Sequence, residues 1–245
     1  MNRKEASLLF AIVFALSSCS LYKSSSINSP LLNEKGDAQI KFSTLSNAEL
    51  SAVYAFSDKL AVMVDAANTG TYPIRYKNEM DVVENSLLLN YKVDGGVGWY
   101  NSERNEKGFQ GFAGYSYGRA STLANNILKT GNNSMLRTSF LGPYFQLSYR
   151  VQLKEKTHLN FLSKSNYYRF YDFENVGDYQ TGSLKEGDDF FIQQFGVELK
   201  QVREKVNTNF QVIYADYYGA TSNFTVRGLS VHFGIAYRLN KKQKD

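Results

Sequence analysis

The residues best suited to chemistry are few. The chain has two histidines, His158 and His232, and a single cysteine, Cys19. His158 follows a predicted tight turn, and His232 falls on the polar face of the last predicted strand. The histidines share no metal-ligand spacing, and a lone histidine on a polar face is usually a packed hydrogen-bonding group. The sequence therefore predicts no metal site, no catalytic residue and no cofactor.

Two further segments could bind ions. Gly95-Gly96-Val97-Gly98 is rich in glycine, but no helix follows it to present amide groups to a phosphate, so close packing or a bulge is favoured. A later segment carries several acids, namely Asp172, Glu174, Asp178, Glu186, Asp188 and Asp189. Calcium takes several oxygen ligands, yet this spacing is not that of an EF-hand and Lys185 lies among the acids. A solvated loop is favoured over a calcium site.

The cysteine follows an export signal. Asn2 to Lys4 form a short, positively charged start, and Ala6 to Leu16 form an apolar run of signal-peptide length that is too short to cross a bilayer. Leu16-Ser17-Ser18-Cys19 resembles the lipobox of bacterial lipoproteins. We expect residues 1–18 to be removed and Cys19 to carry the lipid. The alternative is an ordinary secretory signal with an incidental cysteine, and in either case one cysteine forms no internal disulfide.

The remaining chain is long enough for one large domain or two small ones. Residues 19–36 are rich in Ser and Asn and predict a flexible linker, residues 37–240 form the domain, and residues 241–245 form a basic tail. The net charge of +5 is scattered, with no basic helix, which excludes nucleic acid as a partner. Mean hydropathy is −0.38, which is compatible with barrel strands because their two faces average out.

Within the domain the dominant period is two residues. In the last strand, one face is apolar and the other is polar or small. The apolar face carries Leu229, Val231, Phe233, Ile235, Tyr237 and Leu239, and the other carries Ser230, His232, Gly234, Ala236 and Arg238. Similar runs predict about ten strands, at 37–44, 48–56, 59–67, 86–102, 107–119, 139–152, 156–171, 189–202, 205–217 and 227–239. The fold class is therefore all-β.

Short and long connections alternate along the chain. Long polar segments are predicted at 68–85, 120–138, 172–188 and 218–226, with tight turns between them. In an antiparallel meander this places short turns at one end and long loops at the other, with both termini at the short-turn end. Outer-membrane barrels have this layout. We therefore predict an antiparallel up-and-down β-barrel of outer-membrane type, with the Cys19 lipid in the periplasmic leaflet.

The small and polar face is predicted to line the lumen. Its polar candidates are Gln39, Lys41, Gln146, Arg150, Glu198, Lys200, His232 and Arg238. Such side chains would largely fill a narrow barrel, which disfavours a wide porin-like channel. Pro143 inside a strand and Ser163 with Ser165 on the apolar face count against a membrane barrel. The alternative is a soluble, lipid-tethered periplasmic barrel, with the Phe- and Tyr-rich face inside and a small hydrophobic ligand enclosed.

Three stretches carry a family resemblance: "SCSLY", "SPLLNEKGDAQIKFS" and "LSAVYAFSDKLAVMVDA". They resemble exported β-barrel lipoproteins of Bacteroidota-type bacteria, a largely uncharacterised group, and the strong match covers residues 18 to about 66. The resemblance implies a membrane-associated barrel with a lipid on Cys19. It implies no reaction and no ligand.

The sequence as a whole predicts a non-enzymatic protein of the Gram-negative cell envelope. It would be a lipid-anchored monomer of the outer membrane, palmitoylated at Cys19, with a structural role or a binding role in its long loops. Its predicted partner is membrane lipid. A less favoured alternative is a small outer-membrane acyltransferase or lipase, which needs a serine, a histidine and an acid brought together at the loop end.

Overall fold

A computed structural model describes residues 25–45, 47–77, 83–101, 107–125, 133–176, 186–219 and 228–239. The signal peptide, the lipidation site Cys19 and the basic tail lie outside these residues. No helix in the described part of the chain is long and apolar enough to cross a membrane.

Ten antiparallel strands close into one barrel. They are β1 (Ala38–Leu45), β2 (Ala48–Ala55), β3 (Leu60–Lys77), β4 (Val83–Tyr100), β5 (Lys107–Asn125), β6 (Asn133–Lys154), β7 (Thr157–Val176), β8 (Asp189–Val202), β9 (Val206–Gly219) and β10 (Gly228–Leu239). Each strand pairs with its neighbours in sequence, and β1 pairs with β10 to close the sheet. The predicted all-β, up-and-down barrel of ten strands is confirmed.

The two ends of the barrel differ. The turn end carries the connections β2–β3, β4–β5, β6–β7 and β8–β9, together with the start of β1 and the end of β10; the loop end carries the other connections. Several strands extend further towards the loop end than the sequence indicated. β3 continues to Lys77 and pairs with β4 from Val83, within the predicted loop 68–85. Backbone pairing continues there although the amino-acid sequence does not alternate between apolar and polar residues.

The outer wall is apolar and the lumen is polar. On β10, Phe233, Ile235 and Tyr237 are exposed, whereas His232 is buried. The burial pattern alternates in the same sense along β2, where Leu50 is exposed and Glu49 is buried. This is the reverse of a soluble barrel that encloses an apolar ligand, which would have its apolar face inside.

Aromatic residues lie on the outer wall near both ends. Towards the turn end, the ring of Trp99 lies 6.0 Å from that of Phe109. Towards the loop end, Tyr91 and Tyr117 lie 6.0 Å apart between ring centroids, and exposed Tyr218 lies 6.2 Å from Phe191. Aliphatic and further aromatic residues, among them Val97, Tyr115 and Phe195, are exposed on the wall between them. Two aromatic bands around an apolar belt are typical of membrane barrels.

The β6–β7 seam accommodates the residues that fit the apolar wall poorly. Pairing runs through Leu141–Arg169 and resumes at Tyr144–Asn166, so Pro143 has no partner on β7, although it is paired with Tyr115 of β5. A proline there removes no ladder hydrogen bond from the β7 side. On the outer wall, Ser165 donates to the Gln193 side chain at 2.6 Å, and Gln193 donates to Ser163 at 3.0 Å. These polar groups therefore satisfy one another.

Candidate functional site: the plugged lumen

The lumen contains the chain's own N-terminal segment. Residues 25–32, here called the plug, lie inside the barrel, and Ile27 and Leu32 are at most 1% exposed. The prediction of a flexible linker over 19–36 is therefore wrong for residues 25–32. Ser and Asn favour linkers in water, but here their small polar side chains fit a narrow polar lumen.

Side chains from several strands bind the backbone of the plug. Gln211 of β9 accepts a hydrogen bond from the Ile27 N–H at 3.2 Å and donates one to the Ile27 carbonyl at 2.8 Å. Gln110 donates to the carbonyl of Pro30 at 2.6 Å, and Gln39 accepts from the N–H of Leu31 at 3.1 Å. Buried peptide groups are costly without partners, so these amides do what a neighbouring strand does in a sheet.

Charged side chains of the wall also bind the plug at two points, Ser26 and Ser29. Near the loop end of β2, Glu49 accepts hydrogen bonds from the N–H of Ser26 at 2.8 and 3.0 Å and from its hydroxyl. Closer to the turn end, Ser29 bonds to Glu198 and lies 3.0 Å from the Lys200 ammonium. Hydrogen bonds to charged groups are stronger than neutral ones, so both contacts fix the position of the plug.

Two apolar side chains of the plug find apolar partners in the lumen. Leu32 packs in a cluster with Met63, Tyr100, Phe112 and other buried residues at the turn end. Ile27 packs against Leu162 and Ile213. A withdrawn plug would expose these surfaces to water, so apolar burial also favours the inserted position.

A buried ionic group spans the lumen beside the plug. Asp94 of β4 lies 2.9 Å from the ammonium of Lys92 and 2.5 Å from that of Lys164 on β7, and all three side chains are at most 1% exposed. Lys92 also donates to the hydroxyl of Ser25 at 2.5 Å. The Asp94 carboxylate therefore links β4 to β7, three strands away in the barrel, and through Lys92 it is connected to the Ser25 end of the plug.

The eight predicted lumen residues fall into two groups. Gln39, Lys41, Gln146, Glu198, Lys200 and His232 are buried in the lumen. Arg150 and Arg238 lie near the turn end and are partly exposed. The Gln146 side chain donates to the carbonyl of Asn28, so at least four of the buried group touch the plug. The buried ammonium of Lys41 has no hydrogen-bond partner within the described part of the chain.

Sequence reasoning missed other luminal groups, chiefly Glu49, Asp65, Lys92, Asp94 and Lys164. A signal was available for Lys92 and Asp94, because they share a face with Gly96 and Gly98. Lys164 shares a face with the apolar Leu162, so the sequence pattern did not mark that face of β7 as polar. Asp65 accepts a bond from the side chain of Asn28 at 3.3 Å, a contact that no local pattern could reveal.

The two histidines lie apart, and one has notable neighbours. His158 lies near the turn end of β7. The Nε2 atom of His232 is 3.1 Å from the hydroxyl of Ser230, and its Nδ1 atom is 3.6 Å from a carboxylate oxygen of Glu49. A serine, a histidine and an acid thus lie near one another towards the loop end. These are the residue types that a hydrolase uses, but within the described part of the chain the Nδ1 atom of His232 makes no hydrogen bond to orient the ring.

A nucleophile-elbow motif occurs in the sequence, but it lies within a strand and not at a turn. Gly114-Tyr115-Ser116-Tyr117-Gly118 fits the Gly-x-Ser-x-Gly pattern of a nucleophile elbow. An elbow places its serine on a strand-to-helix turn, whereas Ser116 lies in the middle of β5 and is fully buried. The glycines here allow close packing, because a Cβ at Gly114 would overlap the backbone of Gly95.

Three of the six acids that the sequence predicts to be solvated face arginines, namely Glu174, Asp189 and Asp172, the last of which lies 3.5 Å from Arg119. Glu174 pairs with Arg137 at 2.9 Å, and Asp189 pairs with Arg169 at 2.9 Å. Among the described residues, no group of three or more potential ligands could hold a metal ion. Asp178 and Lys185 lie outside the described residues.

An apolar cluster fills the lumen towards the loop end, on the side of β5 to β9. It consists of Ala120, Phe140, Tyr168, Phe170, Phe190, Ile192 and Ala215. The ring of Phe140 lies 4.7 Å from that of Tyr168, and Phe170 meets Phe190 at 5.7 Å. These rings close the lumen beyond the plug on that side.

Comparison with known proteins identifies no family. No family model matches the chain, and no curated protein matches it. Among solved structures, it is similar to the outer membrane protease OmpT from Escherichia coli, with 9% sequence identity and a TM-score of 0.44. The match covers 84% of this chain and 91% of that one. So distant a likeness does not bear on whether this chain is an enzyme.

Proposed function

We propose that this protein is a lipid-anchored outer-membrane barrel that is closed by its own N-terminal segment and acts without catalysis. Its role is structural, or lies in binding through the loops between long strands. The occupied lumen is the observation that carries the proposal, because a barrel filled by its own chain offers no wide path for solutes. Its partners would be membrane lipids. It would be a monomer, because a single chain closes the barrel.

The outer wall supports a membrane location. Large apolar side chains such as Val97, Phe195 and Ile235 are 48–60% exposed. Contiguous apolar surface of this kind is rare on monomers that live in water. The aromatic bands near both ends supply the interfacial contacts that membrane barrels use.

The first test separates the barrel from its lipid. The Cys19→Ala protein is exported with a plain secretory signal, and its membranes are washed with carbonate. We expect it to stay in the membrane and to migrate faster when it is not boiled, because a closed barrel resists detergent. Incorporation of labelled palmitate into the unaltered protein, but not into Cys19→Ala, tests the lipid.

Two results would contradict the proposal. Release of Cys19→Ala into the soluble fraction would mean that lipid is the only tether. Absence of palmitate from the unaltered protein would mean that Cys19 is incidental, while leaving the membrane barrel intact. The two parts of the proposal can therefore fail separately.

One observation favours a second function, that of an acyl hydrolase. Ser230, His232 and Glu49 meet at 3.1 and 3.6 Å, and the apolar cluster lies on neighbouring strands, where an acyl chain could be held. Against it, His232 is fully buried and the Glu49 carboxylate is already bound by Ser26 of the plug.

A fluorophosphonate probe distinguishes the two functions. A hydrolase would be labelled on Ser230, and Ser230→Ala would abolish that labelling while the heat-modifiable band persists. We expect no labelling. Ser165→Ala is the matched control, because this serine lies on the outer wall and should not affect any reaction in the lumen.

A further inference from the structure

The plug has a direction. Its Leu32 end lies at the turn end, where the N–H of the next residue, Asn33, donates to Asp37 at 2.7 Å just before β1 begins. Its Ser26 end lies at Glu49, the second residue of β2 from the loop end. Going backwards along the sequence, the chain therefore enters the lumen at the turn end and points towards the loop end.

The plug crosses the full height of the wall on this side. β1 and β2 have eight residues each, whereas the other strands have 12 to 22. An eight-residue strand is about 26 Å long, which is shorter than the roughly nine to eleven residues that a tilted strand needs to cross the apolar layer. The β1–β2 hairpin is thus the lowest part of the rim at the loop end, and exposed Leu45 lies at its tip.

The length of chain beyond the plug limits where Cys19 can be. Six residue steps separate Ser25 from Cys19, and six extended residues reach at most about 22 Å. A return to the leaflet at the turn end would use about 20 Å of that reach, the length of β2 from Glu49 to Ala55, and would run through an occupied lumen or through lipid. The low β1–β2 rim offers a shorter way to the leaflet at the loop end.

We propose that the lipid on Cys19 inserts into the membrane leaflet at the loop end of the barrel, so that the N-terminal segment threads the protein's own lumen. This inference rests on the lipidation and membrane insertion proposed above. It replaces the expectation that the lipid lies in the leaflet at the turn end. With loops facing outward, the anchor would lie in the outer leaflet.

The test compares one reporter cysteine with two controls. Lys23→Cys lies between Cys19 and the plug. Glu186→Cys is exposed at the loop end and Glu155→Cys is exposed in the β6–β7 turn. Cys19 is retained in all three, since a sulfur that already carries the lipid does not react with maleimide. Cells are treated with a membrane-impermeant maleimide before and after the outer membrane is permeabilised, and palmitate labelling shows that each protein is lipidated.

We expect Lys23→Cys to show the same dependence on permeabilisation as Glu186→Cys. The proposal is overturned if Lys23→Cys behaves like Glu155→Cys, or if it stays unreactive in both conditions while both controls react. The comparison is relative, so it holds for either orientation of the barrel. Loss of palmitate from the protein would instead mark failure of the lipidation on which the inference rests.

Discussion

At the scale of single residues, Asp94 has the most demanding position. Its carboxylate neutralises two ammonium groups that are at most 1% exposed, those of Lys92 and Lys164. Removing one partner from a buried ionic group costs about 3–5 kcal/mol, because it leaves charge without compensation. We expect Asp94→Asn to lower the free energy of unfolding by that amount, measured by urea titration of the barrel in lipid vesicles through Trp99 fluorescence.

The matched control is Asp189→Asn, which removes an acid from an exposed pair with Arg169. Solvent screens such pairs, so its unfolding curve should overlay that of the unaltered protein. Equal midpoints for the two variants would show that water compensates Lys92 and Lys164 in the lumen. The importance of Asp94 was not visible from the sequence, because Lys164 joins it from another strand 70 residues away.

At the scale of elements, the β6–β7 seam depends on Gly142. A Cβ at this position would overlap the carbonyl oxygen of Tyr167 on the facing strand. Overpacking of this kind typically costs about 1–3 kcal/mol, and here the obstacle is backbone that cannot rotate away. We expect Gly142→Ala to lower the unfolding midpoint and the yield of the fast-migrating folded band on unboiled gels.

Gly95→Ala is the control for the seam, since a Cβ there meets no atom within 4 Å. It should leave both readouts unchanged, and an equal loss in the two variants would point to a general intolerance of strand alanines.

The β6–β7 seam also shows what the sequence could and could not predict. Alternation located the ten strands, but Pro143 and Ser163 looked adverse because the missing pair and the Gln193 contact depend on facing strands.

At the scale of the whole molecule, the plug decides whether the barrel is open. No periodic pattern marks residues 25–32, and their burial depends on amides that converge from distant strands, such as Gln110, Gln146 and Gln211. The sequence alone therefore predicted the strands of the barrel wall but not the plug that occupies the lumen. The wall is lined by groups that water can hydrate, so a barrel without its plug should hold a continuous path of water.

This can be measured with two refolded chains that lack the lipid, one beginning at Ser25 and the other at Asn33. They differ only by residues 25–32, and both retain every strand. We expect the longer chain to be silent in planar bilayers and the shorter chain to conduct ions in discrete steps. Silence of both chains would mean that luminal side chains and the loop-end aromatic cluster close the barrel unaided, and conduction by both would mean that the plug does not seal it. Conduction by the shorter chain only would assign closure of the barrel to the plug. Without the plug, Lys92, Asp94 and Glu198 would face water, and such a charged wall favours the entry of ions.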